Sequence, residues 1–156
     1  MTVELLRWLH VIGATVLLGT GAGIAFFMVM AHRTRDPALV AHVAGTVVIA
    51  DAVFTATAVV AQPVTVALLA WELGWSLFDP WILLSLGLYA IAGAFWLPVV
   101  FIQIRLRDLA RGALAAGQGL PAAYDRLYRI WFACGFPAFG AMLGFIWLML
   151  ARPAPW

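Results

Sequence analysis

The chain has 156 residues, 65% of them hydrophobic and 10% charged. A water-soluble domain is about half apolar and about a quarter charged, and has too little interior to hide so much apolar surface. The net charge of +2 comes from nine Arg with no Lys, gathered beside the apolar segments as membrane topology requires, so no nucleic-acid partner is expected.

A helix needs roughly 20 apolar residues to cross a bilayer. Four segments qualify, and they predict an all-α, integral membrane four-helix bundle in a single domain. The first runs from about Val3 to Ala31. It is too long for the apolar core of a removable signal peptide and reads as a span. His10 lies about two turns inside it, with Gly13, Ala14, Leu17 and Gly21 on its helix face. Small residues there admit either a neighbouring helix or a flat cofactor. His10 is accordingly either a helix-to-helix hydrogen bond or a metal or haem-iron ligand.

The polar break from His32 to Asp36 ends at Pro37, a helix-starting residue. The second span runs from about Leu39 to Ala70. Asp51, Thr55, Ala58, Gln62 and Thr65 share one face, at offsets of 4, 7, 11 and 14. Asp51 falls near the membrane midplane. An ionised carboxylate without partners is too costly there, so it is protonated or hydrogen-bonded. It serves as a proton relay, a quinone contact, a cation or propionate partner, or a structural bond between helices. Pro63 predicts a kink near the outer end.

After the acidic loop from Glu72 to Asp79, the third span runs from about Pro80 to Leu106. Ser85, Tyr89, Trp96 and Gln103 share a face, and Pro98 adds a second kink. Tyr89 and Trp96 are too deep for an interfacial belt, so they face inward with polar partners. A polar loop is expected from Arg107 to Arg126, with turn chemistry at Gly117 to Pro121. The fourth span runs from about Tyr128 to Ala151, with Trp131, Gly135, Ala138 and Met142 on one face. Met142 is either packing or a soft ligand.

Seven Arg flank one side of the spans (Arg33, Arg35, Arg105, Arg107, Arg111, Arg126 and Arg129) and two the other (Arg7 and Arg152). The Arg-rich side is therefore cytoplasmic and both termini lie outside. Trp8, Trp71, Trp75, Trp81, Trp147 and Trp156 fall at the outer interface as an aromatic belt. Counted from span centres, His10, Gln62, Tyr89 and Met142 share one level, and Asp51 and Trp96 share a deeper one. His32 and His42 sit at the cytoplasmic interface, near each other and far from His10. Cys134 is the lone cysteine, so no internal disulfide forms. No catalytic triad, phosphate loop or Cys/His zinc pattern is present.

Three stretches carry a resemblance: Leu9 to Leu17, Ala50 to Thr55 with Gln62-Pro63, and Trp96 to Val100 with Gln103 to Arg107. Together they resemble a family of bacterial integral membrane proteins classed as a domain of unknown function, DUF2269, over nearly the whole chain. More loosely, Leu9-His10 opening a Gly-containing helix that closes on His32 resembles the four-span, haem-binding protoporphyrinogen IX oxidases and copper-resistance membrane domains. In those oxidases the first-span histidine binds haem, which by resemblance points to His10. Their Pro-Arg pair late in that helix is replaced here by Ile24 to Met28. The resemblance therefore carries a haem site and not the oxidase reaction.

The resulting expectation is a multi-pass protein of a bacterial inner membrane. It holds haem b on His10, with Gly13 and Gly21 clearing room and Gln62, Tyr89, Trp96 and Met142 lining the pocket. Asp51 acts as the catalytic or proton-carrying group, and a quinone or porphyrin is the partner in membrane electron transfer or haem-linked oxidation. Two alternatives stand beside it. One is a small transporter or channel subunit using Asp51. The other is a scaffolding subunit, homo-oligomeric or joined to a partner along small-residue seams.

Overall fold

The computed structural model describes residues 2–151, so the expected positions of Arg152 and Trp156 lie outside the described residues. Among those described, all regular structure is helical. Helix α1 spans Val3–Thr34, α2 Pro37–Ala50, α3 Ala56–Leu73, α4 Pro80–Ala115 and α5 Ala122–Ala151. Between α2 and α3, Asp51–Thr55 forms a π-turn that continues the same rod, so the five helices make four long rods. All four are long and apolar enough to cross a membrane.

Local chemistry sets most of the ends. Thr2 caps α1, its side chain accepting the Leu5 N–H at 3.4 Å. Asp36 caps α2 through the Ala38 N–H at 2.8 Å, with Pro37 in the first turn. α3 closes on Gly74 at φ 67°, a left-handed position that glycine takes without a Cβ clash. α4 runs nine residues past the expected end at Leu106. The stretch from Arg107 to Ala115 is rich in Ala, Leu and Arg, which favour helix, and it buries Ala110 and Ala113. The connection to α5 shrinks to 116–121, turning at Gly117.

The rods run alternately up and down. One end, the terminal end, gathers the start of α1, the end of α3, the start of α4 and the end of α5. The other end is Arg-rich. There α2 packs on α4 and α4 on α5 around Met28, Val40, Ala44, Leu106, Ala110, Tyr124 and Trp131. Small residues let these backbones approach closely. Toward the terminal end α1 pairs with α3, and α4 with α5, while α1 and α5 touch sparsely. The two pairs diverge like a wedge. Only 17–28% of the most apolar stretch of each rod is buried, and the outward faces carry Phe26, Phe27, Ile49, Phe101 and Leu150. Those faces need lipid.

Of the two interface histidines, His42 is exposed, whereas His32 stacks on Tyr128 with centroids 3.6 Å apart and rings within 4° of parallel. They do not face a common site, because one points out of the hairpin and the other into α5. Arg35 and Asp125 join the same end through an ion pair at 2.5 Å.

Candidate functional site

The wedge at the terminal end encloses a cavity of about 260 Å³. α1 gives it Arg7 and His10, α3 gives Gln62 and Val66, α4 gives Trp81, Ser85 and Tyr89, and α5 gives Phe145 and Met149. Most of its polar groups are already engaged. Gln62 Nε2 donates to the His10 carbonyl at 2.8 Å, Ser85 Oγ to the Trp81 carbonyl at 2.7 Å, and the Tyr89 hydroxyl to the Val59 carbonyl. Arg7 and one nitrogen of His10 remain.

The His10 imidazole is oriented by Thr65. The Thr65 hydroxyl lies 2.9 Å from both the Ala61 and Gln62 carbonyls, so its hydrogen is spoken for. Its oxygen lies 2.8 Å from His10 Nδ1 and accepts from it in the tautomer with the hydrogen on Nδ1. That tautomer turns the Nε2 lone pair toward the thioether sulfur of Met149 at 3.2 Å, whereas the other donates Nε2–H to the same sulfur. In either tautomer His10 Nε2 and the Met149 sulfur are in direct contact.

A second cluster lies deeper, at the π-turn. Asp51, 3% exposed, receives the Trp96 indole N–H on Oδ1 at 3.3 Å. The Trp131 indole can only donate, which fixes the Gln103 amide with oxygen toward Trp131 at 3.1 Å and NH2 toward Asp51 Oδ2 at 2.7 Å. Thr55 Oγ1 is buried beside the same carboxylate, with no partner other than it. Three rods meet here, where the wedge begins to open.

The expected site residues therefore divide. His10, Gln62 and Tyr89 line the cavity, and Asp51 and Trp96 bond to each other in the deeper cluster. Gly13 does not clear room for a ring: a Cβ there would collide with the Gln62 amide, which already fills the space. Gly21 has nothing near it and lies about 16 Å along α1 from His10, outside the cavity. Met142 is also outside. The methionine at the imidazole is Met149, two turns further on; counted from the centres of the expected spans, its level is nearer that of His10 than the level of Met142 is. On α5 the buried face is Tyr124, Tyr128, Trp131, Ala141, Phe145 and Leu148, while Gly135 is exposed. Among the described residues, no three His, Cys, Asp or Glu side chains gather as a metal site. Sequence reasoning missed Met149 and the π-turn.

Comparison with known proteins places the chain in one family. It belongs to DUF2269, described as predicted integral membrane proteins, whose family model matches residues 4–153. No curated protein and no solved structure matches it significantly.

Proposed function

For a chain of this family, we propose a b-type haem-binding membrane protein, acting in membrane electron transfer or a haem-linked oxidation, in which His10 would ligate the iron and Met149 would offer a second, softer donor. One observation carries this reading: His10 Nε2 faces a thioether across 3.2 Å, and with the ring hydrogen on Nδ1, toward Thr65, it presents a lone pair there. Imidazole and thioether are an established axial pair for haem iron. The surrounding wall is apolar and aromatic, with Arg7 at the rim to meet a carboxylate.

Donor chemistry fits better than room does. The enclosed 260 Å³ is small beside the roughly 300–1,000 Å³ of ordinary ligand pockets, and Gln62 fills the surface at Gly13. Accommodation of a porphyrin therefore depends on α1 and α5, in sparse contact, parting around Met149. Haem, when bound, supplies one-electron chemistry at a potential set by its axial ligands and burial. The chain's own part is to hold the His10 tautomer through Thr65 and to exclude water. The distribution of Arg favours a bacterial inner membrane with this end on the non-cytoplasmic side.

Visible spectra of the purified protein, oxidised and dithionite-reduced, test the reading. Wild type gives a Soret band with sharp reduced bands, His10→Ala loses them, and Met149→Ala keeps bound haem with an altered spectrum. A colourless protein that takes up no added haemin overturns it.

A further inference from the structure

We propose that the π-turn at Asp51 is a binding site for a small monovalent cation, a proton or Na+, held between the Asp51 carboxylate and the Thr55 hydroxyl. The direction of the donors is the starting point. Trp131 donates to Gln103, Gln103 donates to Asp51, and Trp96 donates to the other carboxylate oxygen. Both oxygens of Asp51 thus receive an N–H, which is how proteins hold a carboxylate in its anionic form.

That anion has no countercharge. The groups facing it are Thr55 from its own rod, Trp96 and Gln103 from α4, and Trp131 from α5, and none is cationic. Among the described residues the ion pairs are Arg35–Asp125 and Arg107–Asp108, both elsewhere. An isolated charge buried to this degree is strongly disfavoured unless something balances it. What remains unfilled is on the cation's side. Thr55 Oγ1, in a residue 6% exposed, has no partner besides the Asp51 carboxylate it adjoins. Carboxylate and hydroxyl oxygens are the hard donors that small, hard cations prefer. The wide turn that carries both, with the Ala56 N–H bonded back to the Asp51 carbonyl, is a departure from α-helix that recurs at functional sites.

The charge balance is simple. One positive charge enters and no protein bond breaks. If the cation is a proton, the new O–H on Asp51 donates to Thr55 Oγ1. The site is separate from His10 and does not depend on haem.

The test uses the full chain in lipid nanodiscs and reads tryptophan fluorescence, since Trp96 and Trp131 report on the cluster. NaCl is titrated against choline chloride at constant ionic strength and fixed pH, and then pH is varied in choline chloride alone. Wild type responds saturably to Na+ or to acid, and the half-saturating concentration rises about tenfold or more in Asp51→Asn and in Thr55→Val. Gly21→Ala, whose added methyl meets nothing within 4 Å, leaves the response unchanged. Far-UV circular dichroism confirms that each variant is folded. A response to Na+ identifies sodium, and one to acid alone identifies the proton. Wild-type fluorescence indifferent to both overturns the proposal, as does a response undiminished in folded Asp51→Asn.

Discussion

Replacing Gly13 by Ala puts a methyl group where the Gln62 amide nitrogen stands. Gln62 is 4% exposed and its amide donates to the His10 carbonyl at 2.8 Å, so the displaced group stays buried and loses its acceptor. A buried polar group left unsatisfied costs about 1–3 kcal/mol. Ala recovers up to about 1 kcal/mol of helix propensity over Gly, leaving a net loss of about 1–2 kcal/mol. In a Gln62→Ala background the amide is gone and the methyl enters the vacated space, so the same substitution is neutral or stabilises by up to about 1 kcal/mol. Gly21→Ala is the control, since nothing lies within 4 Å of its Cβ, and it too stabilises by up to about 1 kcal/mol. Reversible unfolding in mixed micelles by added dodecyl sulfate, followed by circular dichroism, measures all four. An equal cost of Gly13→Ala with and without Gln62 refutes the reasoning.

Two further outcomes follow from the hydrogen bonds and ion pairs. Asp51→Ala leaves the Trp96 N–H and the Gln103 amide without an acceptor and lowers stability by about 3 kcal/mol in the same assay, well beyond an ordinary surface change. Arg35→Ala or Asp125→Ala changes stability by less than about 1 kcal/mol, because the pair is exposed at 48% and 37%, and the difference shrinks further in high salt. A larger, salt-independent loss would show the pair to be more than a surface contact.

The inward faces were readable because burial follows helical spacing. Asp51, Thr55, Ala58, Gln62 and Thr65, grouped by offset alone, are all buried, as are Ser85 and Gln103 on α4. The π-turn was not readable, since one residue inserted in a turn still leaves offsets of 4 and 7 on roughly the same side. Small residues at Gly13 correctly signalled a close approach, but composition cannot say whether the visitor is a cofactor or the next helix. Here it is Gln62. Met142 and Met149 lie seven residues apart on nearly the same side of α5, so face alone does not separate them; depth counted from the span centres does, and it favours Met149.

His10 and Met149 are 139 positions apart. Of the four described rods, the first in chain order carries the imidazole and the fourth carries the sulfur that faces it. Until the fourth rod docks, Nε2 opens on a gap between α3 and α4, accessible from the side. Whatever this cavity takes up has its widest entry before α5 closes over it, and loading afterwards proceeds by parting the wedge, either at the sparse α1–α5 contact or between α3 and α4, which touch even less.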